Sequence, residues 1–522
     1  MISSKKKQFL TVIFLNLGIA LIGGSIIYYA TIWGTWAFSD SATYFAAARN
    51  LAAGDGMVIH KTNGGIYLYR LFAPFYPMLL SVFYILIGDI FTVARIVNII
   101  AFIIFLTTFG FILFVESKKI ILSLIGPVLL LVSPMMIESF TGAMTEPVFF
   151  SVLILTFLFS YLYFENPSWQ NLIPYVITLS LLPFTRYAGI GFIFSNILVI
   201  LLLLKKPLIN KLKSSLIIGL LSSIPTLIWL GYLYINSNQI GGRRLELPQF
   251  FLENIFSGFK IISELVISWL PYSGIYEDFL PSSTRFLILT VTFFVLISAT
   301  WFMLIKKSKE NVIENNLLII MIIHFFSFIF FIPFSYSLTN RSFVIDQRIL
   351  APVIPIIIAL ALLSLNLLIS QLRRYEKLFL ALVIVIFGLI IRFYFLKSRN
   401  VINELHLNGY GYTSRQYQES GIISEIKKIP PNKILISNLS GFVLLYDNRL
   451  PIQVNQFQYQ MYGSGRSDPE VLFRRENAAL LFFIPDFRNY YRDQANDLYE
   501  ALTNGLVIGY EDPVSAIYYY PD

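Results

Sequence analysis

The sequence predicts a polytopic α-helical membrane protein of about eleven spans, followed by a small α/β domain outside the membrane. Three observations carry that prediction. Of the 522 residues, 56% are hydrophobic and 13% charged, with a mean hydropathy of +0.70, which is too apolar for a soluble protein. Many apolar runs reach the roughly 20 residues that a helix needs to cross a bilayer. After Leu396 the pattern changes, because charge density rises and the apolar runs become short and strand-like.

The net charge of +9 is unevenly placed. From Asn400 onward there are 10 Lys and Arg against 14 Asp and Glu, which leaves 29 against 16 for the first 399 residues. That excess of base sits in short loops between apolar runs, the pattern of an orientation signal rather than of nucleic-acid binding. The chain has no cysteine, which excludes a disulfide framework and any Cys-based metal or redox site.

In chain order, Lys5, Lys6 and Lys7 precede an apolar run from Phe9 to about Thr31. The run is long for a signal-peptide core and no small-residue cleavage site ends it, so it reads as a retained first span with its N-terminus in the cytoplasm. The loop that follows, about 32–91, then lies outside. It opens with SDSATYFAAARNLAAGDGM, residues 39–57, where Tyr44, Ala47, Ala48 and Leu51 recur at helical spacing. Ser39 is the expected N-cap and Gly54 the expected stop. Asp40 falls in the first turn, where the helix dipole favours an ionised carboxylate. The run YLYRLFAPFYPMLLSVFYILIG, 67–88, is apolar enough to imitate a span. Counting it as one would put Glu116, Lys118 and Lys119 outside, so it reads as a helix in the membrane interface.

Further spans are expected near 92–114, 120–137, 147–164, 171–185, 187–204, 215–235, 285–305, 316–334, 349–370 and 378–395. In that register Lys205, Lys206, Lys211 and Lys213, then Lys306, Lys307 and Lys309, then Arg373, Arg374 and Lys377 all face the cytoplasm. The membrane domain so defined is 1–395. The remaining part, 396–522, is read as an extracytoplasmic α/β accessory domain, with strands at 433–437, 479–485, 506–510 and 515–520 and helical stretches near 414–428 and 487–503. The glycines of GSGRSDPE, 463–470, match no phosphate-cradling pattern.

This topology gathers a set of polar residues at the outer face: Asp40, His60, Arg70, Glu138, Glu146, Arg186, Arg243, Arg244, Asp346 and Arg348. An ionisable residue at membrane depth is costly unless it has work or a partner. Carboxylates and arginines on one side suit transfer from a lipid-linked phosphate. Arginine forks neutralise the departing phosphate, and a single carboxylate deprotonates the incoming hydroxyl. Each residue also has a plainer reading. Asp40 would complement a helix N-terminus, Glu146 before Pro147 would start a helix, His60 would be a loop residue, and the arginines would snorkel.

The motifs resemble those of the GT-C membrane glycosyltransferases, in the branch of the protein O-mannosyltransferases and lipid A aminoarabinose transferases. There an outer first loop opens with Asp, often Asp-Glu, before a Tyr-containing helix ending near a Gly. Asp40, Tyr44 and Gly54 match, with Ser41 in place of the Glu. Glu146-Pro147 with Phe149 resembles the second acidic motif, with Glu for the commoner Asp. Arg70, with His60 and Asn63-Gly64 upstream, resembles the basic residue of the loop's apolar segment; Thr185-Arg186 and the stretch Arg348 to Pro355 resemble two later basic motifs. The resemblance covers roughly residues 9–395.

The resemblance implies a GT-C fold and a polyprenyl-phosphate-linked sugar as donor. It further implies Asp40 as general base in an inverting transfer, Glu146 assisting through the acceptor or a metal, and Arg70, Arg186 and Arg348 around the phosphate. His60, Tyr44 and Asp346 are expected near the acceptor or a metal. A divalent ion is the cofactor that relatives suggest, although no metal ligand set is assigned from spacing. The expected partners are the lipid-linked sugar, an acceptor lipid, glycan or protein, and membrane lipids, with no nucleic acid; the expected location is the plasma membrane. Two other readings stay open: a transporter or flippase of a lipid-linked glycan, and a glycan polymerase or ligase using a polyprenyl-diphosphate donor.

Overall fold

The computed structural model describes residues 4–238, 250–269, 316–339, 343–371, 376–454, 478–492 and 495–521, with isolated positions at 271 and 284. The expected span at 285–305, Arg243, Arg244 and the 463–470 loop lie outside the described residues.

Among the described residues six helices are long and apolar enough to cross a membrane. They lie within α1 (Ser4–Ala30), α4 (Ile90–Ser117), α7 (Glu146–Glu165), α10 (Leu208–Ser237), α12 (Asn316–Leu338) and α15 (Glu376–Asn408). Of the eleven expected spans, the one at 285–305 falls outside the described residues, and several of the others are bent or short for local reasons. The expected span 120–137 is two helices, α5 (Ile120–Leu131) and α6 (Pro134–Thr141), bent by 65° and counting as a seventh span only if taken together. Pro134 opens the second helix and cannot continue the hydrogen-bond ladder. Ser398 of α15 donates to the carbonyl of Val132 in the break at 2.7 Å, satisfying a group that lipid cannot.

Four other apolar helices are shorter. The expected span 171–185 is α8 (Trp169–Thr185), and α9 (Ile190–Leu203) follows it after a 3-10 turn at Tyr187–Gly189. The expected span 349–370 is split into a four-residue turn of helix, α13 (Gln347–Leu350), and α14 (Val353–Gln371). The apolar run 67–88 forms a helix only over α3 (Phe75–Ile87). At 1.5 Å per residue it reaches roughly 20 Å, less than the ~30 Å hydrocarbon core.

The first loop folds largely as its pattern indicates. Helix α2 (Ser39–Ala53) ends at Gly54, whose φ of 92° is left-handed. Phe38, not Ser39, is the N-cap, and Ser41 Oγ accepts from the Phe38 N–H at 3.2 Å, so the helix starts one residue before the sequence signal. Strands β1 (Val58–Lys61) and β2 (Ile66–Leu68) form an antiparallel pair behind it.

Beyond the membrane helices the four expected strands and one further short strand, β5, form a five-stranded mixed sheet, ordered β5-β3-β6-β8-β7. These are β3 (Ile434–Ser437), β5 (Ile452–Gln453), β6 (Ala478–Phe483), β7 (Val507–Glu511) and β8 (Ser515–Tyr519). Strands β3 and β6 pair in parallel and every residue in them is buried, as the unbroken apolar runs require. The sheet is tied to the first loop. Strand β4 (Arg449–Leu450) pairs in parallel with β1, and Arg49 of α2 donates to the Leu445 carbonyl at 2.7 Å. Asn448 Nδ2 also donates to Asn50 Oδ1 at 2.7 Å.

A fourth tie comes within three residues of Asp40. Gly411 has φ +65°, bridges to Ala37, and leaves no room for a side chain, since a Cβ would lie 2.3 Å from the Ala37 carbonyl oxygen. The left-handed backbone alone would cost a non-glycine residue about 1–2 kcal/mol. Gly411→Ala is therefore expected to lower thermal stability by more than that and to impair the site that Ala37 leads into. An unfolding midpoint equal to wild type in detergent would contradict this.

Candidate active site

The site is organised around Glu146, the first residue of α7, whose side chain is only 2% exposed. Burying a carboxylate without a countercharge is prohibitive, so its partners follow from its position. They are two arginines. Arg186 Nη1 lies 2.6 Å from Glu146 Oε1, and Arg348 Nε donates to the same oxygen at 2.8 Å. Thr145 Oγ1 donates to Oε2 at 3.3 Å and accepts from Arg186 Nη1 at 3.4 Å.

Each arginine is placed by a break in a helix. Arg186 follows the end of α8, where its N–H bonds the Leu182 carbonyl at 3.0 Å and its carbonyl accepts from Gly189 at 2.7 Å. Arg348 sits in α13, whose first turn is capped by Asp346: Oδ1 accepts from the Ile349 N–H at 2.9 Å. Asp346 is thus committed to holding the turn that aims Arg348. The short segment that disrupts the expected span at 349–370 is what turns this guanidinium toward Glu146.

Asp40 completes the cluster from α2. Its Oδ2 lies 3.9 Å from Arg348 Nη2, and its side chain keeps 36% of its exposure. Burial raises the Asp40 carboxyl above the usual aspartate range; Arg348 opposes this and Glu146 adds to it. The result is a more basic carboxylate that still reaches solvent, the combination a proton acceptor needs. Tyr44, one turn further along α2, is buried, and its ring packs edge-on against Phe72 and Tyr76 with centroids 5.0 and 5.5 Å away. Burial and the Asp40 charge push its phenol well up, so it remains an O–H donor.

The structure thus brings Asp40, Glu146, Arg186 and Arg348 together, with Tyr44 and Asp346 beside them. Two other residues have different partners. His60 Nε2 contacts Asp55 Oδ2 at 3.1 Å on β1, and Arg70 Nε donates to the Tyr67 hydroxyl at 2.8 Å with its guanidinium over that ring. The backbone carbonyl of Glu138 accepts from Trp36 Nε1. Thr145 has a part in the cluster that the sequence did not signal, since a lone threonine before Glu-Pro looks like an ordinary helix start.

A divalent ion was suggested by the resemblance, and the donor set can be tested for it. Among the described residues no three His, Cys, Asp or Glu side chains converge on a metal position. The most buried acid already carries two guanidinium groups, which would repel a cation. Among the described residues the cluster therefore does not fit a metal.

No protein-family model and no curated protein sequence matches the chain. Solved structures do. ArnT from Cupriavidus metallidurans bound to undecaprenyl phosphate superposes with a TM-score of 0.55 at 13% identity, covering 98% of this chain and 99% of that one. The apo state of the same protein gives 0.52 at 12% identity over the same shares. The Archaeoglobus fulgidus oligosaccharyltransferase in its apo form gives 0.48 at 13% identity, over 97% of this chain and 74% of that one. Along nearly its whole length the chain is therefore similar in fold to ArnT, a likeness the motif reading of the sequence anticipates.

Proposed function

We propose that the protein is an inverting glycosyltransferase that moves a sugar from a polyprenyl-phosphate donor to an acceptor hydroxyl at the extracytoplasmic face of the plasma membrane. The observation that carries this reading is the ionic chain Asp40–Arg348–Glu146–Arg186, a half-exposed base linked to two arginines held by a buried acid. The undecaprenyl phosphate bound by ArnT, a protein of the same fold, supports the class of donor.

In the proposed step, Asp40 takes the proton from the acceptor hydroxyl as its oxygen attacks the anomeric carbon. The bond from that carbon to the phosphate oxygen breaks, and its electron pair stays on the phosphate. A guanidinium has five N–H donors and Glu146 takes one from each of Arg186 and Arg348, which leaves others for the phosphate. Phosphate is a good leaving group, so one general base suffices and no acid is needed. Glu146 acts as a positioning residue that presents the arginines. Arg70, propped on Tyr67, is assigned to the phosphate end as a third cation. The N-terminus is assigned to the cytoplasm and the C-terminal sheet to the outside, following the Lys and Arg of the short loops.

The test is transfer by purified full-length protein in detergent, from a panel of polyprenyl-phosphate sugars to envelope acceptors. Labelled product with inverted anomeric configuration is the expected result. Transfer needs one compartment and transport needs two, so absence of product with every donor would overturn the enzyme reading in favour of a lipid-glycan transporter. Product from a polyprenyl-diphosphate donor alone would favour the polymerase or ligase reading.

A further inference from the structure

We infer that the hydroxyl of Tyr76 is a hydrogen-bond donor to the phosphate of the lipid-linked substrate; this rests on the donor class proposed above. Tyr76 is the second residue of α3 and is completely buried. Its hydroxyl has no hydrogen-bond partner among the described residues. A buried hydroxyl left unpaired destabilises the fold, and Phe would fill the same space without that cost. The oxygen therefore needs a reason to be there.

The surroundings supply one. The Tyr76 ring is set by Tyr44, which meets it edge-on at an interplanar angle of 89° with centroids 5.5 Å apart. The charges of Asp40, Glu146, Arg186 and Arg348 all act on Tyr44, and that of Glu146 acts on Tyr76 as well. Burial, with Glu146 adding to it, pushes the Tyr76 phenol up, so the group is an O–H donor at any working pH. The nearby carboxylate does not take this donor: Glu146 Oε1 holds the two arginines and Oε2 accepts from Thr145. The acceptor must then arrive with the substrate. The two arginines on Glu146 draw an anion to the cluster that Tyr44 and Glu146 link to Tyr76, and phosphate oxygens are the strongest acceptors such a substrate offers.

The experiment measures binding of polyprenyl phosphate without sugar, in nanodiscs, to full-length wild type and Tyr76→Phe, beside the KM for the sugar-linked donor and the unfolding temperature. Hydrogen bonds to charged groups are the stronger kind, so the Phe variant is expected to bind the lipid phosphate roughly 10- to 100-fold more weakly. Its KM should rise in step, and its unfolding temperature should equal or exceed that of wild type. Equal binding by the two proteins overturns the inference. So does a loss seen with the sugar-linked lipid but not with bare lipid phosphate, which would move the contact to the sugar. A lowered unfolding temperature also overturns it, because the hydroxyl would then have a partner within the fold. If wild type binds the lipid phosphate but transfers no sugar, the glycosyltransferase reading fails while the binding comparison still decides the role of Tyr76.

Discussion

Asp40→Asn abolishes transfer in the expected experiment, lowering the rate by roughly 10² to 10⁴, the usual share of a general base. The variant keeps the size of the side chain and replaces the carboxylate with an amide too weakly basic to take the proton. It should fold normally, because among the described residues the ion pair it breaks is the 3.9 Å contact with Arg348, more than a third exposed on both sides. Such pairs contribute about 0–1 kcal/mol. The wild-type pH profile follows from the same residue. In the proposed step Asp40 must be ionised, and burial raises its carboxyl above the usual value of about 3.9. Activity should therefore fall with unit slope as pH drops through a midpoint above that value. The stability linkage has the opposite sense: a carboxyl that holds its proton more tightly when folded stabilises the fold at low pH and loses that contribution as pH rises through the raised value. The Asn variant lacks this titration, so at neutral pH it should be no less stable than wild type. Full activity in Asp40→Asn would make Asp40 a helix-terminus residue and send the search for the base elsewhere.

Much of this was legible in the sequence, for identifiable reasons. Helix α2 could be placed within a residue because apolar spacing, a first-turn acid and a stop glycine all agree there. The C-terminal strands were readable because uninterrupted apolar runs bounded by polar residues have few alternatives. What failed was continuity. Composition sums over a run of residues and takes no account of Pro134, or of the capping Asp346, so the breaks at 131–134 and 350–353 were read as single spans. The second break follows the short helical turn that carries Arg348 and so helps set where that side chain points. Partner choice was also illegible. Nothing in the spacing says that Glu146 meets Arg348, 202 positions away, or that His60 meets Asp55. Tyr76 lay inside an apolar run, where a phenol cannot be told from packing until its hydroxyl is seen to be unpaired.

Glu146→Gln is expected to damage stability and activity together, through separable causes. The side chain is 2% exposed and serves as countercharge to two arginines at 2.6 and 2.8 Å. Glutamine can still accept a hydrogen bond but brings no charge, so positive charge is left uncompensated at a buried position. Breaking a buried pair in this way costs about 3–5 kcal/mol, which a thermal or denaturant unfolding curve in detergent would register. Activity should fall because Arg186 and Arg348, no longer tethered to one oxygen, lose the geometry that meets the departing phosphate. The second variant, Glu146→Gln with Arg186→Gln, separates the two effects. Removing one of the stranded charges should recover part of the stability, with a coupling on the order of 0.5–3 kcal/mol. Transfer should not recover, since a phosphate ligand has been lost as well. If the double variant were as unstable as the sum of the singles, Glu146 and Arg186 would be independent and the ionic chain would not be the organising unit of the site. If Glu146→Gln kept full activity despite its lost stability, the buried acid would be a structural support alone, and the arginines would be positioned by Thr145 and by the cap at Asp346.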